Sequence, residues 1–301
     1  MSKPVSSRKG LGWKLEVPLQ SLEALAQEAV HHYHPFKLHR GGKYRVIDNP
    51  DIFLKHVQRR IQRTLLDPLA SPEHLHGSIR GRSPLTNALS HLGAKLIVRV
   101  DLKSFFPSVT DRHVYTVWAQ MLGHAPSVAG LLTSLTTFRK RLPQGAPTST
   151  SLANLVLADA DQQIKAAARK FGCFFTRYID DLVFSGADSR RLIPFSIFIL
   201  QAAGFRISRS KLTIMPASLL QEVTGYGVNS RRGPSIPRYK RDRVRAEIHH
   251  LKDIPAGRDF DRRCNSIKGR IRYFSRTNPA SAQALQRRLG SVINHLDQPA
   301  S

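Results

Sequence analysis

Two adjacent carboxylates, Asp180 and Asp181, sit between the apolar, β-prone runs Phe174-Phe175-Thr176-Arg177-Tyr178-Ile179 and Leu182-Val183-Phe184-Ser185-Gly186. That pattern predicts a strand, a tight turn carrying both acids, and a returning strand. Flanks that bury their apolar residues push both acids out at one rigid edge, where mutual repulsion is costly unless a cation lies between them. A third acid, Asp101, stands at the end of the apolar strand Leu96-Ile97-Val98-Arg99-Val100, with Phe105-Phe106-Pro107-Ser108 behind it. Between these acids lies Arg141-Leu142-Pro143-Gln144-Gly145-Ala146-Pro147-Thr148-Ser149, too rich in turn formers for regular structure. Three acids from two strand ends, a Gln-Gly loop and flanking bases fit metal-assisted phosphoryl transfer. Two Mg²⁺ ions roughly 3.5 to 4 Å apart would be bridged by Asp101 and Asp180, one activating the attacking hydroxyl and the other stabilising the departing pyrophosphate. Oxygen donors suit that hard cation, with Mn²⁺ as a possible substitute, and Asp181 would support the electrostatics or touch a metal transiently. The ordinary reading of an acidic pair is a solvated turn, since Asp is a common turn residue.

The elements that must position these acids can be read along 301 residues, 41% of them hydrophobic, enough for a real core. Forty-seven Lys and Arg against 21 Asp and Glu leave a net charge of +26, which points to a polyanionic partner such as nucleic acid. Two cysteines, Cys173 and Cys264, are too few for a disulfide framework or a zinc site, and a reducing cytoplasm is the natural setting. No run approaches the ~18 to 20 apolar residues of a membrane span, so the chain is read as soluble, with no membrane partner. A short helix is expected from Leu22 to Ala29, with the polar cluster His31-His32-Tyr33-His34-Pro35 at its end. Lys43-Tyr44-Arg45-Val46-Ile47 alternates as a strand, so Lys43 and Arg45 leave one face and could hold a triphosphate. Asn49-Pro50 is read as the start of a helix keeping Phe53, Leu54, Val57, Ile61 and Leu65 on one side. Ser83-Pro84 opens another, in which Asn87 and His91 share a face. A helix capped by Thr110, a long one from the 141–149 loop to Gly172 and one from Arg191 to Ala203 flank the acids. A short strand at Phe205–Ser208, a further strand from Lys211 and a hairpin at 222–229 follow. From Arg231 to the end the composition shifts to 17 Lys and Arg against 6 Asp and Glu, a net of +11, with helices expected near 237–252, 259–274 and 279–296.

In this order the motifs are recognisable: the chain resembles a reverse transcriptase, most closely the bacterial retron type. Val100-Asp101-Leu102-Lys103-Ser104-Phe105-Phe106-Pro107-Ser108 is similar to the family's first catalytic motif and Leu142 to Ser149 to its second. Tyr178-Ile179-Asp180-Asp181 matches the Tyr-x-Asp-Asp box, and Gly204 to Lys211 resembles the next motif, whose lysine can protonate the departing pyrophosphate. Asn87-Ala88-Leu89-Ser90-His91 and Val223-Thr224-Gly225 resemble two retron elements, the latter associated with recognising the cognate RNA. Ile179 departs from the pattern, since retron enzymes more often carry alanine there.

The resemblance implies an α+β right-hand polymerase, with fingers and palm made of antiparallel sheet backed by helices, and a helical basic thumb. It implies an N-terminal helical extension over 1–34, fingers and palm over 35–229 (palm motifs about 94–111 and 142–229), and a thumb over 230–301. Asp101, Asp180 and Asp181 would be catalytic and bind metal. Lys43, Arg45, Phe106, Gln144, Gly145 and Lys211 would bind the nucleotide, Phe106 by crowding a ribose 2′-hydroxyl, and Tyr178 would lie beside the primer end. Asn87, His91, Val223, Thr224 and Gly225 would recognise RNA. The implied activity is RNA-directed DNA synthesis on a cognate structured non-coding RNA, using deoxynucleoside triphosphates and starting from an internal 2′-hydroxyl to leave a branched RNA-DNA product. Such complexes serve anti-phage defence with an accessory effector or toxin. Two other readings remain at this point: another bacterial reverse transcriptase subtype, group II intron-like or abortive-infection, and a non-catalytic RNA-binding scaffold with this fold.

Overall fold

The computed structural model describes residues 3–40, 42–255 and 257–296, and at positions 40, 43, 295 and 296 the backbone alone. Two compact units divide the chain, Met1–Ser83 with Val98–Ile214, and Pro84–Ile97 with Met215–Ser301. The first begins with α1 (Arg8–Leu15), started by the Ser7 hydroxyl accepting from Gly10 N and burying Leu11 and Leu15. After α2 (Leu19–Gln27) the chain turns into an antiparallel hairpin of β1 (Tyr33–Arg40) and β2 (Lys43–Pro50), with Leu38 opposite Arg45. The histidine cluster therefore enters a strand rather than closing a helix. Asn49 and Pro50 likewise remain in β2. The helix α3 (Ile52–Ile61) is capped one residue later by Asp51, whose carboxylate accepts from Leu54 N at 2.9 Å and so satisfies a free helix-end donor. Leu54, Val57 and Ile61 are buried, while Phe53 is 68% exposed, one position off the seam.

Helix α4 (Pro84–Leu89) belongs to the second unit; β3 (Leu96–Asp101), α5 (Phe105–Ser108) and α6 (Asp111–Thr116) follow. Thr110 caps α6 as expected, in a box closed by His113 Nδ1 accepting from Thr110 N at 3.1 Å. Helix α7 (Pro126–Thr136) precedes the Gln-Gly loop. The single helix expected after that loop is two, α8 (Ser149–Val156) and α9 (Ala158–Lys170), broken at Leu157. The central hairpin, β4 (Phe174–Tyr178) and β5 (Asp181–Ser185), is followed by α10 (Leu192–Ala202) and β6 (Thr213–Pro216). The strand expected at Phe205–Ser208 reduces to one isolated bridge, Ile207 to Leu102. The sheet runs β4-β5-β3-β6, with β4 and β5 antiparallel. One apolar cluster including Val98, Val100, Trp118, Leu132, Leu152, Ile164, Phe184 and Phe205 backs the strands that carry the acids.

The second unit holds a two-residue-per-strand hairpin, β7 (Glu222–Val223) with β8 (Tyr226–Gly227), and three helices close to their expected spans: α11 (Arg238–His250), α12 (Arg258–Ser275) and α13 (Pro279–Leu296). Phe260, Cys264, Ile267, Ile271 and Phe274 form the buried stripe of α12, the three- and four-residue spacing of an amphipathic helix. Both cysteines are buried free thiols. Among the described residues no helix is long and apolar enough to cross a membrane. The architecture is a mixed α+β fold.

Beside the central hairpin, His76 N donates to the Arg177 carbonyl at 2.9 Å and the His76 side chain is buried. Burial, then the charges of Arg82 and His74, push its imidazole down to about 4. An ordinary histidine in the unfolded chain titrates near 6.5, so the unfolded state binds the proton more readily. Stability on this account is complete above about pH 6.5 and falls as the pH drops toward 4, by on the order of 3 kcal/mol. Urea midpoints between pH 7 and pH 4 should fall more steeply for the wild type than for His76→Gln; parallel profiles would remove His76 as the cause.

Candidate active site

The β4–β5 hairpin ends with Tyr178 opposite Asp181, leaving only Ile179 and Asp180 at the bend. Ile179 has φ 60°, whereas Asp180 is not among the positive-φ residues. A positive φ at the first central residue alone is the pattern of a type II′ turn, whose twist matches the strands and which normally calls for glycine there. A β-branched residue in that region is strained, by about 1 to 3 kcal/mol. The space around it is filled: a Cβ added to Gly77 would stand 2.5 Å from Ile179 Cγ1 and 2.6 Å from its nitrogen.

The bend meets β3 through its backbone. Leu102 N donates to the Asp180 carbonyl at 2.9 Å, which brings Asp101 and Asp180 side by side. On the other side the Asp101 carbonyl accepts from Ser208 N at 2.7 Å. Burial, and next the charge of Asp101, push the Asp180 carboxyl above its usual range. Asp181 is pushed up to about 7, chiefly by burial, with Arg99 opposing and Asp101 and Asp180 adding to the rise. Cations answer this crowding. Lys211 Nζ donates to Asp101 Oδ1 at 2.6 Å, Arg99 Nε lies 3.7 Å from Asp181 Oδ1, and the exposed Arg45 stabilises the ionised Asp180.

These carboxylates fit a hard divalent cation on their own chemistry. Every donor is oxygen, Asp181 Oδ1 is buried without a hydrogen-bond partner, and two of the three acids are destabilised as anions by their surroundings. In the arrangement described, Lys211 holds Asp101, and among the described residues no three His, Cys, Asp or Glu side chains close around one ion position.

The Gln-Gly loop is clasped to β2. Asp48 N donates to the Gln144 carbonyl at 2.9 Å and Gln144 N donates back to Asp48 Oδ2 at 3.1 Å. Asp48 is buried, and its other oxygen lies 3.7 Å from Arg141 Nη2. Gly145 has φ 132°, and a Cβ there would stand 2.8 Å from Ile47 Cγ2, so a bare backbone is needed where loop and strand meet. Phe105 is buried with its ring 5.5 Å from that of Phe205, which leaves its neighbour Phe106 half-buried near the end of β3. Burial also raises the hydroxyl of the half-buried Tyr178. The Lys43 side chain lies outside the described residues, although its backbone continues β2 two positions before Arg45.

Asn87, His91, Val223, Thr224 and Gly225 all fall in the second unit. There Thr224 Oγ1 donates to the Pro84 carbonyl at 2.7 Å, so the turn of the β7–β8 hairpin is tied to the start of α4. Asn87 is fully buried, with both amide atoms unpaired. Lys240 Nζ reaches Glu222 Oε1 at 2.8 Å and the Gly225 carbonyl at 2.9 Å, anchoring the same turn to α11.

Sequence reasoning passed over Arg99, Asp48 and the buried Arg177. A signal existed for Arg99: it stands two residues before Asp101, hence on the same face of β3, and a charge inside an apolar strand needs a partner. Arg177 carried the same signal inside the run Phe174 to Ile179, but nothing local named its partners Asp161 and Asn154; Asp48 carried none, because its partner Gln144 is distant in sequence.

Residues 37–229 match the family model described as reverse transcriptase (RNA-dependent DNA polymerase). The chain is 34% identical over 287 residues to the retron Mx65 reverse transcriptase of Myxococcus xanthus, covering 87% of this chain and 65% of that protein. It is 33% identical over 279 residues to the retron Mx162 reverse transcriptase of the same organism, covering 81% and 57%. Against the retron Ec86 reverse transcriptase of Escherichia coli it is 33% identical over 241 residues, covering 78% and 75%. The chain thus spans less than two thirds of the length of the two Myxococcus relatives.

If the Asp48 carboxylate holds the loop, Asp48→Ala frees the Gln144 amide. Hydrogen exchange at that amide is expected to quicken by about tenfold, the worth of one hydrogen bond to a charged group. Unchanged protection would mean the backbone bond alone suffices.

Proposed function

The chain belongs to the reverse transcriptase family, of the retron type, and from that premise we propose that it is an RNA-directed DNA polymerase that copies a cognate structured non-coding RNA. We read its α+β fold as the right-hand polymerase fold that membership of that family implies. The observation that carries the reading is the Leu102–Asp180 backbone hydrogen bond, which sets acids from two strand ends beside one another. Two Mg²⁺ ions held by Asp101 and Asp180, with Asp181 beside them, would activate the primer hydroxyl and neutralise the departing pyrophosphate.

The remaining roles belong to side chains of this protein. Arg45, with Lys43, would hold the triphosphate, its fork-shaped guanidinium matching ionised oxygens. Lys211 Nζ, once released from Asp101, would hand its proton to the pyrophosphate oxygen as that group leaves. Phe106 would crowd a ribose 2′-hydroxyl, the Gln144 side chain and Gly145 backbone would pack against nucleotide and template, and Tyr178 would lie beside the primer end. We read the β1–β2 hairpin as fingers and α11 to α13 as a thumb that grips the duplex by its phosphates without reading sequence. Asn87, His91 and the Val223-Thr224-Gly225 turn would contact the cognate RNA. Likeness to retron enzymes supports priming from an internal RNA 2′-hydroxyl, a branched RNA-DNA product and a role in anti-phage defence with an effector protein.

Primer extension on an RNA template with deoxynucleotides and Mg²⁺ tests the activity. Asp180→Asn should slow incorporation on the order of a thousandfold, equivalent to about 4 kcal/mol of transition-state stabilisation. Equal inactivity of both proteins on every template would favour a non-catalytic scaffold. Phe106→Ala should relax discrimination against ribonucleotides by about 10- to 100-fold, measured as the ratio of kcat/KM for the two sugars. An unchanged ratio would take the ribose contact away from Phe106.

A further inference from the structure

Beneath the acidic bend lies a fully buried guanidinium. Arg177 has no exposed surface, and its hydrogen bonds use every N–H it has. Nε donates to Asp161 Oδ1 at 2.8 Å and Nη2 to Asp161 Oδ2 at 2.6 Å, a two-pronged grip on a carboxylate of α9. Nη2 also reaches the Asn154 carbonyl at 3.3 Å, and Nη1 reaches Asn154 Oδ1 at 3.0 Å, both on α8. The fifth bond runs from Nη1 to the Ile179 carbonyl at 2.7 Å. Asn154 Nδ2 donates in turn to the carbonyl of Gly77, the residue pressed against Ile179.

Burying a charge pair of this kind contributes little net stability, since desolvation offsets most of the attraction. A core position could be filled more cheaply by an apolar side chain. What the arrangement does achieve is directional: a rigid fork, fixed on two helices, holds the peptide between a strained Ile179 and Asp180. We propose that Arg177, locked by Asp161 and Asn154, is a positioning residue that holds the Ile179 carbonyl and so keeps Asp180 and Asp181 aimed at the cation site. This rests on the polymerase reading above. Lysine in its place has three donors and no fork, so it cannot hold Asp161, Asn154 and Ile179 together.

The test compares wild type, Arg177→Lys and Asn154→Ala, the last removing the Asn154 Oδ1 prong and the bond to the Gly77 carbonyl while leaving the Arg177–Asp161 pair intact. Poly(rA) primed with oligo(dT) gives kcat and KM for dTTP. Electron paramagnetic resonance gives Mn²⁺ affinity in the complex with a dideoxy-terminated primer and dTTP, with Asp180→Asn as the blank. Positioning predicts that kcat and Mn²⁺ affinity each fall by about 10- to 100-fold while KM for dTTP and primer affinity stay within about twofold. It also predicts rescue: Ile179→Gly, which relieves the positive-φ strain, should restore about tenfold of the loss in the Arg177→Lys background. Loss of activity only in proportion to the unfolded fraction, with cation affinity unchanged and no rescue, would overturn the proposal. Should Arg177→Lys not fold, Asn154→Ala decides by the same two readouts. A wild type that extends no primer would overturn the polymerase reading itself, an outcome distinct from variants that match an active wild type.

Discussion

Carboxylates that must stand together repel one another, and the first unit is arranged around containing that repulsion. Asp101 and Asp180 are brought into register by the bond from Leu102 N to the Asp180 carbonyl, and Asp181 follows one residue later on β5. Burial worsens the conflict, since the anions lose solvent while gaining neighbours of like charge. The answer is distributed: Lys211 arrives from beyond β3, Arg99 from within it and Arg45 from the β1–β2 hairpin, so no single cation neutralises the cluster. Oxygen donors crowded in this way and answered only by scattered cations suit a hard divalent ion on their own chemistry.

Rigidity is the complementary requirement. The bend that carries Asp180 has a β-branched residue where the turn geometry favours glycine, and it persists because surrounding structure over-determines it. Gly77 leaves no room for the bend to relax in one direction, and Arg177 holds its carbonyl in the other. Asp48 plays the corresponding part for the Gln-Gly loop, where its backbone N–H and its side-chain carboxylate together fix Gln144 against β2.

Much of this was legible from residue order. The β4–β5 hairpin, β3 and the three C-terminal helices follow from apolar periods long enough to specify their elements, and the acids fall at strand ends that those periods define. Asn49-Pro50 misled because proline fits the edge of a strand as well as the first turn of a helix, and the cap role went to Asp51. The break at Leu157 had no glycine or proline to announce it. Arg177 shows the deeper limit. Alternation in Phe174 to Tyr178 says which side a residue takes, but a buried charge is tolerable only through partners on α8 and α9, and no local pattern names them.

The two-residue bend also constrains what changes the hairpin can accept. Side chains alternate faces along a strand, so one residue added or lost between Tyr178 and Asp181 would slip the register and exchange the two faces of β5, on which Leu182 to Ser185 are all buried. The number of residues at this corner is therefore a harder boundary than their chemical kind: Ile179 can stand where glycine would be easier, but a third residue beside it would carry an acid away from its companions.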